Sequence, residues 1–227
     1  KNGDRRPDTL NMLPGMVSPA DLRHLQDIAE DFGLDATLLP DYADRLDGPT
    51  WGEYRRIPEG GTTLDDIALM GSAEATLELG LGAAGEKTAG HELRNNHDVP
   101  LISLGLPIGI RATDAMFEAL ETLSGHERPA RYAAARGRLV DSYIDAHKYI
   151  FEKRAVVFGD EDLVTALTGF LSEIGVKPVL CASGGTSGGL EAAIAQAAAG
   201  GSEQPTVMQG VDFEDIAETV REIRPDV

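Results

Sequence analysis

The chain has 227 residues, 38 of them acidic and 20 basic, for a formal net charge of −18. This length suits one large or two modest domains with a buried core. The charge serves solubility and sets aside nucleic acid and anionic membrane surfaces as partners. No apolar run approaches the roughly 20 residues that span a bilayer. The basic start Lys1-Asn2-Gly3-Asp4-Arg5-Arg6 leads into no hydrophobic stretch of the kind a signal peptide carries.

Short β-like runs alternate with longer helical ones, the pattern of a parallel sheet wrapped by helices. Thr9–Leu13 reads as the first strand, closed by Pro14-Gly15. A helix follows with Ser18 as cap, Pro19 in its first turn, and Asp21 at the positive end of its dipole. Leu22, Leu25, Ile28, Ala29 and Phe32 form its apolar stripe, and Gly33 is placed to end it. A second strand covers Ala36–Leu39, and an irregular loop from Pro40 to Gly61 carries Tyr42, Trp51 and Tyr54; loops this long are usually functional or docked on another surface. Thr62–Met70 reads as a helix capped by Thr62, Ala75–Leu79 as a strand, Ala83–Asn95 as a helix and Leu101–Leu104 as a strand. Thr113–Ser124 is a further helix with Met116, Phe117, Leu120 and Leu123 on one side.

Arg131–Tyr149 predicts a longer helix rich in alanine and arginine, connecting two lobes. The second lobe repeats the alternation: strand Arg154–Phe158, helix Glu161–Glu173, strand Pro178–Cys181, a Gly/Ser loop at Ser183–Gly189, helix Leu190–Ala198, a strand near Thr206–Met208 and helix Asp212–Ile223. The expected organisation is a Rossmann-like α/β domain over 1–130, a connecting helix over 131–152 and the start of a further Rossmann-like domain over 153–227. Three complete strands are few for a doubly wound sheet, so the chain reads as a fragment that stops where another strand would begin.

Candidate chemistry is sparse. The one cysteine, Cys181, excludes an internal disulfide and any thiolate cage for zinc or an iron–sulfur cluster built from this chain alone; it fits a reducing cytosol and a small core residue. Histidines at 24, 91, 97, 126 and 147 lack metal-ligand spacing and read as surface groups, with nothing beside His147 to make it a base. Gly159-Asp160-Glu161-Asp162 places three carboxylates where a strand gives way to a helix; capping is the expected role, a divalent-ion site the sharper alternative. Ser183–Gly189 stands where α/β proteins cradle phosphates, but it lacks the Lys of a P-loop and the dinucleotide spacing, so a connecting loop is expected. No catalytic, cofactor-binding or metal residue is therefore assigned.

Several segments in order resemble the nitrogenase component 1 family, which includes the beta subunit of the molybdenum–iron protein and the beta-like subunit of its cofactor-maturation scaffold. They are Asn11–Gly15, Leu38–Asp41, Leu46–Pro49, Gly60–Thr63, Leu106–Asp114, Leu123–Gly125, Arg136-Gly137-Arg138-Leu139-Val140-Asp141 and Lys153-Arg154 through Gly159-Asp160-Glu161-Asp162-Leu163. The Arg136–Asp141 block leans towards the catalytic beta subunit, whereas Gly210–Ile216 leans away from it. Nitrogenase-like relatives of tetrapyrrole biosynthesis match less well.

The resemblance implies subunits of three Rossmann-like domains, of which this chain would be the second and the beginning of the third. The cluster-holding cysteines would lie in the first domain, outside it. The expected function is therefore a fragment of a beta-type subunit of a nitrogenase-like oxidoreductase in nitrogen fixation, located in the cytoplasm. It would be structural in alpha/beta assembly and in electron transfer to a metallocluster, with no activity alone. Its expected partners are an alpha-type subunit, an ATP-dependent iron-protein reductase and a second heterodimer in a heterotetramer. No cofactor is expected in the fragment, and an iron–sulfur cluster in the full-length complex. The alternatives are a subunit of the maturation scaffold, or a two-lobe glycosyltransferase-like or periplasmic-binding-like protein with a small ligand in its cleft.

Overall fold

The computed structural model describes residues 5–48, 50, 52–53, 56, 60–81, 87–199 and 203–227. Trp51, Tyr54 and the first turn of the helix expected from Ala83 lie outside the described residues. The chain groups into two compact units, one of residues 1–80, 87–104 and 117–129, the other of residues 81–86, 105–116 and 130–227. The expected connecting helix is observed as Ala130–Ile150 and is grouped with the second unit.

The first unit is built on a four-stranded parallel sheet in the order β2-β1-β3-β4, with β1 Arg6–Leu13, β2 Asp35–Leu38, β3 Ala73–Leu79 and β4 Leu101–Leu104. Its helices are α1 Pro19–Asp31, the short α2 Ala43–Asp47 and α3 Leu64–Leu69, α4 Ala89–His97, and the later turns of α5 Ile110–Ser124. Parallel strands need both faces covered, and Thr9–Leu13 of β1 and most of β3 are buried although polar residues interrupt both runs. The α1 stripe does what its spacing promises: Leu22, Leu25, Ile28, Ala29 and Phe32 are all buried. Ser18 and Asp21 form a reciprocal capping box at its start, and Gly33 leaves it at φ +75°. Phe32 meets Phe117 of α5 with ring centroids 5.6 Å apart. Within the sheet, buried Asn11 donates to the Met70 carbonyl at 3.0 Å and the Thr76 hydroxyl at 3.1 Å, so its polarity is satisfied.

One cap is displaced from its expected residue. The α3 cap is Thr63, whose hydroxyl accepts from the Asp66 N–H at 3.1 Å, while Asp66 accepts from the Thr63 N–H at 3.0 Å. Thr62 instead donates to the Leu38 carbonyl on the open side of β2 and accepts from the Asp41 N–H at 3.0 Å. The edge strand competes for the first threonine and wins, because its outward carbonyl has no neighbouring strand.

The second unit holds a three-stranded parallel sheet in the order β5-β6-β7, with β5 Arg154–Phe158, β6 Lys177–Ser183 and β7 Thr206–Gln209. On one face α7 Glu161–Glu173 and α8 Leu190–Ala197 cover Val157 and Cys181, and on the other α9 Phe213–Ile223 covers Val156, Leu180 and Ala182. The long helix α6 Ala130–Ile150 has no fully buried residue over its 21 positions.

The Thr63 hydroxyl, then its N–H, holds the Asp66 carboxyl below the usual carboxylate range. Because the folded value is depressed, this stabilisation is full above the ordinary aspartate pKa of about 4 and fades as pH falls through the folded value. Thr63→Ala is therefore expected to cost about 1 kcal/mol at pH 7 and less at pH 3. Denaturant titrations of both proteins at the two pH values read the difference.

Candidate functional site

The strand–turn–helix at Phe158–Leu163 is the densest local signal in the sequence, and the structure resolves its three acids into three roles. Gly159 turns the chain at φ +149° and donates to the Ala182 carbonyl at 3.2 Å. Asp160 caps α7, accepting from the Asp162 N–H at 3.0 Å, as expected. Glu161 is 7% exposed, and its carboxylate accepts from the Ser187 N–H at 3.1 Å and from the Ser187 hydroxyl. Asp162 accepts from the backbone N–H of Leu81.

These bonds change the meaning of the Gly/Ser loop. Three of its N–H groups are already spent: Gly185 donates to the Ser183 hydroxyl, Gly189 to the Ser187 hydroxyl, and Ser187 to Glu161, each at 3.1 Å. A carboxylate of the chain itself sits where an anion cradle would hold its ligand. A Cβ on Gly185 would stand 2.5 Å from Glu161 Oε1, so any side chain there would have to displace that carboxylate. The hollow of about 580 Å³ between Gly159–Asp162 and Ser183–Ser187 carries three acids and no base, which opposes phosphate. The loop is thus more than a connector, being pinned at its centre.

The other end of α7 carries a second carboxylate. Glu173, 9% exposed, accepts from the Ile110 and Arg111 N–H groups, both at 2.9 Å, and from Arg111 Nε at 3.1 Å. It therefore caps α5 from a different helix, meeting the free donors and positive dipole of that helix's first turn. Arg111 also reaches the Gly169 carbonyl at 3.3 Å. Gly109, at φ +87°, lies so close that an added Cβ would be 2.9 Å from Glu173 Oε2. Tyr143 of α6 points its hydroxyl at Glu173, 3.5 Å away, and partial burial, then the Glu173 charge, raises its pKa. Arg136 Nε binds both Asp114 oxygens, at 2.9 and 3.1 Å. The Leu106–Asp114, Arg136–Asp141 and Gly159–Leu163 segments thus meet around α7 within one unit. An apolar hollow of about 270 Å³ opens between them, lined by Leu81, Leu106, Ile108, Ala166 and Ala193 among others.

Cys181 is fully buried among Val157, Val164, Leu190 and Ile194, with the Thr168 hydroxyl 3.2 Å from its sulfur. Burial raises its thiol pKa, opposing the thiolate a cluster needs. One enclosed thiol does not fit an iron–sulfur cluster, so no ligand is assigned to it. Among the described residues no group of three His, Cys, Asp or Glu side chains could hold a metal ion. His147 stacks on Phe151 at 4.5 Å, His126 bonds the Phe32 carbonyl at 3.0 Å, and His91 bonds the Thr88 hydroxyl at 2.8 Å. On α6, Leu139, Ile144 and Tyr149 are exposed.

The profile of the family described as nitrogenase component 1 type oxidoreductase matches residues 1–227. This chain belongs to that family. The nitrogenase molybdenum–iron protein beta chain of Clostridium pasteurianum is 38% identical over 81% of this chain, and the match takes in 40% of that protein. The iron–molybdenum cofactor biosynthesis protein NifN of Bradyrhizobium diazoefficiens is 33% identical over 78% of the chain and 37% of its own length. The solved structure of nitrogenase Cp1 at pH 6.5 superposes on 99% of this chain with a TM-score of 0.86 at 33% identity, covering 50% of that chain. The chain thus spans half or less of these relatives. The Rossmann-like α/β architecture of the family is present in both parallel sheets. Among the described residues no helix is long and apolar enough to cross a membrane.

Sequence reading named Glu161 only as one of three carboxylates with a capping role, without its bond to Ser187, and missed Glu173. An acid in the last turn of α7, with no base beside it, was the available signal for Glu173, since it opposes that helix's own dipole. Glu173→Ala strips two backbone N–H groups of their acceptor and is expected to cost about 2–3 kcal/mol, read as a shift in denaturant midpoint. Cys181 is expected to resist a thiol reagent in the native protein and to react fully once unfolded; fast native labelling would contradict its burial.

Proposed function

We propose that this chain serves in a beta-type subunit of a nitrogenase-like oxidoreductase, as part of the frame of an alpha/beta complex. The observation that supports this most is the whole-length family match, with 38% identity to a molybdenum–iron protein beta chain. In this reading the complex takes electrons from an ATP-dependent iron-protein reductase towards a metallocluster in the cytoplasm. The residues of this chain contribute rigidity and surface, and the cluster is held by residues outside it. The bracing of α7 by Glu161 and Glu173 supplies the rigidity. The exposed length of α6 supplies surface for subunit packing in a heterotetramer. Alone, the 227-residue chain carries no cluster and reduces no substrate.

A second reading has its own support: the 33% identity to a cofactor biosynthesis protein. There the same frame holds a cofactor during maturation and releases it. The test is co-expression of the relatives'-length protein with its alpha-type neighbour, followed by iron analysis, EPR and substrate reduction. Iron, a cluster signal and reductase-dependent turnover are expected. Iron with transfer of cofactor to another protein and no turnover would move the reading to the scaffold. An iron-free product that joins no partner would overturn both.

A further inference from the structure

We infer that the groove along the open edge of β2 is a docking site for an extended, basic segment of another polypeptide, which pairs with the strand and gives the buried Arg6 Nε its missing acceptor. The inference is independent of the redox reading. β2 ends the order β2-β1-β3-β4, so its outer side faces no described strand. Leu39 donates its N–H to the Met12 carbonyl at 2.9 Å, so alternation turns the backbone of Thr37 towards β1 and that of Ala36 and Leu38 outward. The Leu38 carbonyl is met by the Thr62 hydroxyl. The Ala36 N–H, the Ala36 carbonyl and the Leu38 N–H are left without a partner strand, two donors and one acceptor at the spacing of a ladder.

Beside this edge lies a hollow of about 200 Å³, lined by Arg6, Asp35, Thr37, Asp41, Asp66 and Leu69 among others, all in the first unit. Arg6 Nε is buried there and has no hydrogen-bond partner among the described residues. A buried charged donor without an acceptor is rare, because nothing replaces its lost hydration. Two of the lining carboxylates are committed to other donors. Asp66 Oδ2 takes the Thr63 N–H at 3.0 Å and the Thr63 hydroxyl at 2.6 Å, and Asp41 Oδ1 takes the Ala43 N–H at 3.0 Å. A backbone carbonyl of an incoming segment satisfies Arg6 without adding charge.

Charge decides what kind of segment this is. Three carboxylates, Asp35, Asp41 and Asp66, stand against one guanidinium, so side chains entering the groove are favoured when basic. A second copy of this chain is disfavoured. Pairing two β2 edges would set these carboxylates against their equivalents, on chains that each carry −18. A small cation is disfavoured too, because it would pair with the carboxylates and leave both the strand edge and Arg6 unbonded. Extended segments that add to an exposed edge take affinity from main-chain bonds and specificity from side chains at alternate positions. Here the acids supply the specificity, and the bond from Thr62 to the Leu38 carbonyl marks where pairing ends.

The probe is a Lys-Val-Lys-Val-Lys peptide, dye-labelled at its N-terminus and amidated at its C-terminus, titrated with the protein and followed by anisotropy and amide hydrogen exchange. Binding is expected, with the Ala36 and Leu38 amides exchanging about 10-fold more slowly at saturation. A congener of equal charge, N-methylated on its central residues, is expected to bind about 10-fold more weakly, since ladder bonds are lost. Arg6→Met is expected to weaken the parent probe about 10-fold. It should not lower the denaturant midpoint of the free protein, because it removes a donor that is unpaired there. Equal binding of the N-methylated congener would overturn the inference, marking general attraction to an acidic surface. So would full affinity in Arg6→Met, protection located away from β2, or no binding at all. Protection that arises without probe and grows with protein concentration would assign the edge to copies of this chain and overturn it as well.

Discussion

Helix α7 begins on a buried glutamate and ends on a partly buried one, and the second unit is organised by those two carboxylates. Each is used away from its own helix. Glu161 secures the loop after β6, and Glu173 secures the first turn of α5. Negative charge at Glu161 suits the positive end of α7, so that bond and the dipole act together. At Glu173 they oppose: the charge sits at the negative end of α7 but at the positive end of α5. Three short donors to one carboxylate decide the balance in favour of the contact, because charge-assisted bonds are the strong ones. A helix fixed at both ends in this way transmits position, since neither loop can shift without breaking a buried charged bond.

The remaining energetics are those of parallel sheets. Both faces of β6 are apolar and both are covered, by α7 and α8 on one side and α9 on the other. The polar exceptions in the cores are paired, Asn11 with Thr76 and Cys181 with Thr168. That thoroughness explains why the single thiol has no chemistry: it is a small core side chain whose neighbours leave it no open face. What the chain offers to other molecules lies outside these cores, on α6 and along the strand edges.

Much of the fold was legible because it depends on local grammar. Ser18, Pro19 and Asp21 announced α1, Gly33 ended it, and its stripe from Leu22 to Phe32 was buried as its spacing required. The α3 cap slipped by one residue because Thr62 and Thr63 are locally equivalent, and only the distant Leu38 carbonyl distinguishes them. The resemblance segments were visible as blocks, but not their meeting. Nothing in Leu106–Asp114 points to Glu173, more than fifty positions later, or to Arg136. Likewise the Gly/Ser loop looked slack by composition, and only the buried reach of Glu161 makes it firm. Long-range use of a side chain leaves little trace in its own neighbourhood.

The close approach of Gly109 to Glu173 has a consequence for how this protein can change over generations. At position 109 a side chain is opposed twice, once by a backbone angle of +87° and once by a carboxylate 2.9 Å from where its Cβ would stand. Shortening residue 173 would clear the space but would abandon the amides of Ile110 and Arg111. The two positions therefore form an evolutionary lock, in which either single step is worse than the start and even the double step leaves a helix end bare. Lineages that diverge widely on the surface of this domain are expected to carry this pair through together, as one inherited unit.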